Sequence, residues 1–149
     1  MVKAINNELI YSIISHHINH FLNVKKIVKH DYESHIILLT LYAHFLFQTI
    51  TKSKTLSWTE VFEKTETKDH KKLMKGRKLT IFAVANNLSI PQETVRRKLE
   101  KLCSRKLLEY SKSEGLSLGK KFKETIEPLG RVDGQGILAL FEKFKKAQK

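Results

Sequence analysis

The fold turns on residues 80–102, which read Thr80-Ile81-Phe82-Ala83-Val84-Ala85-Asn86-Asn87-Leu88-Ser89-Ile90-Pro91-Gln92-Glu93-Thr94-Val95-Arg96-Arg97-Lys98-Leu99-Glu100-Lys101-Leu102. Thr80 is an N-cap residue type, able to accept a hydrogen bond from a first-turn N–H. It precedes apolar residues at Ile81, Val84, Ala85 and Leu88, the spacing of one helical face. Ala85 suits a close helix crossing, where the nearest approach admits only a small side chain. Ser89-Ile90-Pro91 predicts a tight turn, because Pro91 disfavours helical backbone at Ile90 while itself suiting a helix start. Ile90 is expected to fill the corner between the two helices. A second helix is predicted from Gln92 to Ser104, buried through Val95, Leu99 and Leu102 at i, i+4 and i+7.

Downstream, Leu108/Tyr110 and Leu116/Leu118 alternate on either side of Ser113-Glu114-Gly115, the signature of a short hairpin. The charge is concentrated in the same region. The chain of 149 residues carries a formal net charge of +13. Residues 1–70 hold eight Lys and Arg against seven Asp and Glu, a balance of +1; residues 71–149 hold twenty against eight, a balance of +12. A basic surplus confined to one half points to a polyanion docking there, since neutralising phosphates releases counterions.

With the buried face of the second helix set on Val95 and Leu99, at 100° per residue the opposite face carries Glu93, Arg97, Glu100 and Ser104. A helix entering the major groove by its N-terminal end would aim Gln92, Glu93 and Arg97 at base edges. Arg can hold guanine through O6 and N7, a carboxylate can accept from cytosine N4, and Gln can pair with adenine. Thr94, Arg96, Lys98 and Lys101 are expected to reach phosphates, which position a protein without reading sequence. Lys112, Lys120, Lys121 and Lys123 give the hairpin the means to hold backbone or minor groove.

These residues resemble the winged helix-turn-helix of transcription regulators, most closely the DNA-binding domain of the catabolite-activator family. The matching positions are Thr80, Val84-Ala85, Leu88, and Glu93-Thr94-Val95 followed by Arg97. The resemblance implies that Glu93 and Arg97 contact bases and that the hairpin is the wing. Two positions depart from the family pattern: Pro91 stands where a Ser or Thr cap is usual, and Arg96 replaces a small residue. The resemblance spans about forty residues, and nothing in residues 1–70 is similar to that family's cyclic-nucleotide β-barrel. The layout of flanking helices is similar to that of multiple-antibiotic-resistance repressors, in which terminal helices of two chains intertwine. A terminal helix from Gly136 to Lys146, with Ile137, Leu138, Phe141 and Phe144 on one face, suits that layout.

Elsewhere the chain reads as helical. Leu9, Ile13, Ile14, Ile18, Phe21, Leu22 and Val28 set a helical rhythm over residues 5–29, and a second helix is expected from Tyr32 to about Lys52. The latter is apolar on most sides, which requires several neighbours; a second copy of the chain is the expected partner. Ser57 and Glu60 suggest a capping box before a short helix with Trp58, Val61 and Phe62 inward, and Lys64–Lys72 a polar connection. The expected organisation is a mainly α chain: residues 1–70 a helical dimerisation and possible effector region, 71–130 the winged helix, 131–149 a C-terminal helix.

Several classes are disfavoured. The apolar stretch from Ile36 to Ile50 is interrupted by Thr40, His44, Gln48 and Thr49 and is shorter than the ~20 residues of a membrane span. The N-terminus lacks a signal-peptide pattern, and one cysteine, Cys103, gives no intramolecular disulfide; the expected compartment is the cytoplasm. No Gly-rich phosphate loop, Cys-x-x-Cys, His-Glu-x-x-His or Gly-x-Ser-x-Gly occurs, so no enzyme and no cofactor are expected. His16 and His20 stand one turn apart, the spacing of a shared metal, though no Cys, Asp or Glu on their helix is placed to complete the shell; an ordinary surface or interface role is the simpler reading. Cys103 lies near Arg105 and Lys106, which can lower a thiol pKa. The expected function is a homodimeric, sequence-specific double-stranded-DNA-binding transcription regulator, reading half-sites roughly 34 Å apart. The alternatives are a replication initiator, a nucleoid-type protein, or a winged-helix protein-interaction module.

Overall fold

In a computed structural model that describes residues 6–52 and 78–148, the chain is mainly α-helical with one two-stranded antiparallel sheet. The helices are α1 (Asn7–Asn23), α2 (Tyr32–Lys52), α3 (Ile81–Leu88), α4 (Gln92–Ser104) and α5 (Phe122–Gln148); the strands are β1 (Leu108–Ser111) and β2 (Gly115–Leu118). The capping box expected at Ser57–Glu60, its short helix and the Lys64–Lys72 connection lie outside the described residues. Among the described residues, no helix is long and apolar enough to cross a membrane.

The chain divides into two compact units. Residues 1–32 and 124–149 form one, and residues 33–123 form the other. This grouping joins α1 with most of α5, which a reading of consecutive segments does not anticipate.

In the unit of residues 33–123, α2 supplies the largest side chains of the core. Ile37, Leu38, Leu41 and Phe45 are essentially inaccessible, with Tyr42 beside them. The Tyr42 ring stacks at a tilt on Phe122, with centroids 5.0 Å apart. The all-round apolarity of α2 is therefore largely satisfied within one chain and does not by itself require a second copy. Tyr32 and Phe47 on this helix are exposed.

Helices α3 and α4 follow the expected bounds and are joined by an identifiable turn. Thr80 accepts the Ala83 N–H on its hydroxyl at 3.1 Å and the Val84 N–H on its carbonyl. At the other end of α3, Ile90 N–H reaches the Ala85 carbonyl and Ser89 N–H that of Asn86. This is a Schellman closure, with Ser89 in the left-handed region at φ 53 where glycine is commoner. Pro91 follows in an extended conformation as the N-cap of α4, its carbonyl accepting the Val95 N–H. The same closure ends α4: Leu107 N–H bonds Leu102, Lys106 N–H bonds Cys103, and Lys106 is left-handed at φ 59.

The two strands pair with Leu108 opposite Leu118 and Tyr110 opposite Leu116. Leu108 and Leu116 are buried, whereas Tyr110 is half exposed. Gly115, at φ 76, closes the turn, and the Leu116 N–H donates to the Leu79 carbonyl beside the sheet. At Gly119 a side chain is excluded outright: a Cβ there would lie 2.3 Å from the Lys106 carbonyl oxygen.

In the other unit, α1 begins at Asn6, whose side chain accepts the Leu9 N–H at 2.8 Å, and continues into a π-helical turn at Val24–Val28 closed by Lys29 at φ 58. Helix α5 starts at Phe122, well before the expected Gly136, and runs through Pro128, Gly130, Gly134 and Gly136. An interior proline costs ~3 kcal/mol or more. Burial of Ile126 and Leu129 on either side, each contributing about 1.5–3 kcal/mol, offsets it.

Candidate nucleic-acid interface

Helix α4 divides cleanly by exposure. Val95, Leu99 and Leu102 are at most 3% exposed. Gln92, Glu93, Arg96, Arg97, Glu100, Lys101 and Ser104 are all exposed. The apolar positions recur at i, i+4 and i+7 and pin one face to the core, so the other face must face water. Among the expected base-contacting residues, Gln92, Glu93 and Arg97 thus all lie on the solvent side.

The first turn of α4 has no side-chain cap, because Pro91 offers none. Its backbone N–H groups, at the positive end of the helix dipole, remain suited to an acceptor from outside. Arg96 Nε lies 3.7 Å from Glu93 Oε2, a surface pair one turn apart. Such an exposed pair contributes little to stability and is readily exchanged for a stronger anion.

Of the residues expected to meet phosphate, Arg96 and Lys101 on α4 and Lys112, Lys120 and Lys121 on the hairpin and its exit are exposed. Thr94 and Lys123 are partly buried. Lys98 has a different setting: its side chain is 15% exposed and its Nζ lies 3.0 Å from Glu33 Oε2 at the start of α2. It sits on the shoulder between the buried and solvent faces, where the lysine stem covers apolar surface and the ammonium meets a carboxylate. That environment suits seating α4 on α2 better than reaching an outside anion. Glu33 was not singled out from the sequence, and no local spacing signals a partner 65 positions away.

Cys103 is partly buried, and its thiol pKa is raised, first by burial and then by the charges of Glu109 and Glu100. The expected lowering by Arg105 and Lys106 is corrected: burial raises the thiol pKa, and the two carboxylates add to it. The thiol is thereby protected from ionisation.

On α1, His20 Nδ1 donates to Asp133 Oδ2 of α5 at 2.6 Å, and His17 Nδ1 donates to the Ile13 carbonyl at 2.9 Å. His16 meets α5 at Gly136, where a Cβ would lie 2.8 Å from its Nδ1. Among the described residues, no group of three or more His, Cys, Asp or Glu is placed to hold a metal ion. A shallow cleft at the ends of α1 and α5 is lined by Asn6, Glu8, Leu9, Lys143, Lys146 and Ala147, with Lys143 Nζ donating to Ser12 Oγ at 2.8 Å.

Comparison with protein-family models, with curated proteins and with solved structures finds no match for this chain. The functional reading therefore rests on the residues and their geometry.

Proposed function

We propose that this chain is a sequence-specific double-stranded-DNA-binding transcription regulator built on a winged helix-turn-helix and acting as a homodimer. Helix α3 is the supporting helix, α4 the recognition helix, and the β1–β2 hairpin the wing. The observation that carries the reading is the division of α4, with Val95, Leu99 and Leu102 inside and Glu93 and Arg97 outside. A helix held by one face and free on the other, followed by a hairpin with exposed lysines, is the arrangement that fits a major groove.

Roles follow from position. Gln92, Glu93 and Arg97 read base edges near the N-terminal end of α4. The uncapped first turn receives a phosphate, and Arg96, Lys101, Lys112, Lys120 and Lys121 hold flanking phosphates. Lys98 is reassigned from phosphate contact to positioning, on the strength of its ion pair with Glu33.

Titration of a labelled random duplex at several salt concentrations tests the electrostatic part. Five phosphate-contacting side chains per subunit give a slope of log K against log salt of about −4 to −5 per subunit. A slope near zero, with affinity insensitive to salt, would instead support docking on a protein.

A further inference from the structure

Helix α1 is amphipathic in the inverted sense. The side it turns to α5 is mostly polar: beside the buried Leu9, Ser12 meets Lys143, His16 meets Gly136, and His20 meets Asp133. These three contacts run in opposite directions along the two helices, so α1 and α5 pack antiparallel. The opposite arc of α1, through Ile10, Ile14, Ile18 and Phe21, is exposed. On α5, Ile137, Leu138, Phe141 and Phe144 form a second exposed stripe flanking the contact with α1.

Burial normally puts the apolar arc of a helix against its neighbours, so an exposed one signals a missing neighbour. Of the sixteen exposed large hydrophobic side chains among the described residues, thirteen belong to the unit of residues 1–32 and 124–149. At their fractional exposures the eight on the two arcs leave roughly 700 Å² of side-chain surface uncovered, given the size of aliphatic and aromatic side chains. The largest apolar patch of a typical monomer is about 300–600 Å². A stable interface of standard size takes about 800 Å² from each partner.

We infer that the apolar arcs of α1 and α5 form a two-fold homodimer interface, so that the occupant of this surface is a second copy of the chain. Charge selects that occupant. Residues 9–24 contain no Lys, Arg, Asp or Glu, and neither do residues 134–141, in a chain whose net charge is +13. Two copies repel wherever their basic faces meet, and this surface lets them approach without like-charge cost. Two-fold pairing requires a patch complementary to itself, which an uncharged aliphatic and aromatic surface provides. The inference stands on the surface of this one unit. A dimer that binds no duplex would leave it intact while removing the DNA reading.

Sedimentation equilibrium of the full chain from about 1 to 50 µM tests it, since dimer population follows protomer concentration. The expected mass is twice the 17.3 kDa of one chain, unchanged on raising the salt. The double variant Ile18→Asp/Phe141→Asp should dimerise at least about 50-fold more weakly, because it places charges in a desolvated patch. Its helical circular dichroism should be retained, as both positions face solvent in the single chain. Phe82→Asp, an exposed position of the other unit, should leave the dimer unchanged. Should the double variant unfold, the milder Ile14→Ser and Leu138→Ser, each alone, must still weaken the dimer. A wild-type monomer at 50 µM, or a dimer that persists in the folded variants, overturns the inference.

Discussion

Lys98 Nζ and Glu33 Oε2 lie 3.0 Å apart, linking the middle of α4 to the first turn of α2. The carboxylate sits at an N-terminus, where the helix dipole favours it, and the ammonium is largely withdrawn from solvent. Exchange of either partner should therefore alter the seating of α4 and not its outer face. Lys98→Ala is expected to cost about 1 kcal/mol or less of stability, discounted because Glu33 is 45% exposed. Its effect on DNA affinity should not depend on salt. A double-mutant cycle with Glu33→Gln checks the assignment, and a loss of about one unit of salt slope in Lys98→Ala would return the residue to the phosphate contacts.

The inner face of α4 predicts a contrasting set. Leu99→Ala and Leu102→Ala remove fully packed side chains and should each cost about 2–5 kcal/mol in urea unfolding. Arg97→Ala and Glu93→Ala on the outer face should stay within about 0.5 kcal/mol of the wild type. Equal costs on both faces would mean that the helix is not seated as described.

Glycines separate by what surrounds them. Gly119→Ala drives a methyl against the Lys106 backbone and should destabilise the chain by about 1–3 kcal/mol. Gly130→Ala and Gly134→Ala on α5 meet nothing within 4 Å and should stabilise the helix by about 0.5–1 kcal/mol each. Gly136→Ala should gain less than these two, because the His16 ring must move aside. Thermal unfolding of the four variants orders them.

Burial and the neighbouring carboxylates raise the Cys103 pKa, which leaves less thiolate near neutral pH than in a free thiol. Alkylation by iodoacetamide at pH 7.5 should be slower than for free cysteine and should speed up on unfolding. A rate above that of free cysteine would reverse the assignment.

The α3–α4–hairpin region was legible because its signals are local. Thr80, Pro91 and the Leu108/Tyr110 and Leu116/Leu118 alternations each act within a few residues, and the expected helices and hairpin follow from them. What was not legible depended on distant packing. Periodicity showed that α2 needs neighbours on most sides, but not that its own chain provides them for Ile37, Leu38, Leu41 and Phe45. The terminal helix is expected only from Gly136, whereas it runs from Phe122 through Pro128 and three glycines. Burial of Ile126 and Leu129 carries the helix through them. Likewise the Lys98–Glu33 pair, and the burial that raises the Cys103 pKa, are products of the fold.

Selection of bound duplexes from a random library, repeated with Arg97→Ala, tests the central claim most directly. The expected result is a two-fold symmetric site bound by the wild type, with Arg97→Ala losing about 1–3 kcal/mol of discrimination per half-site while keeping its affinity for random DNA. Recovery of no enriched sequence, or an equal loss by Arg97→Ala on selected and random duplexes, would contradict base reading by the outer face of α4.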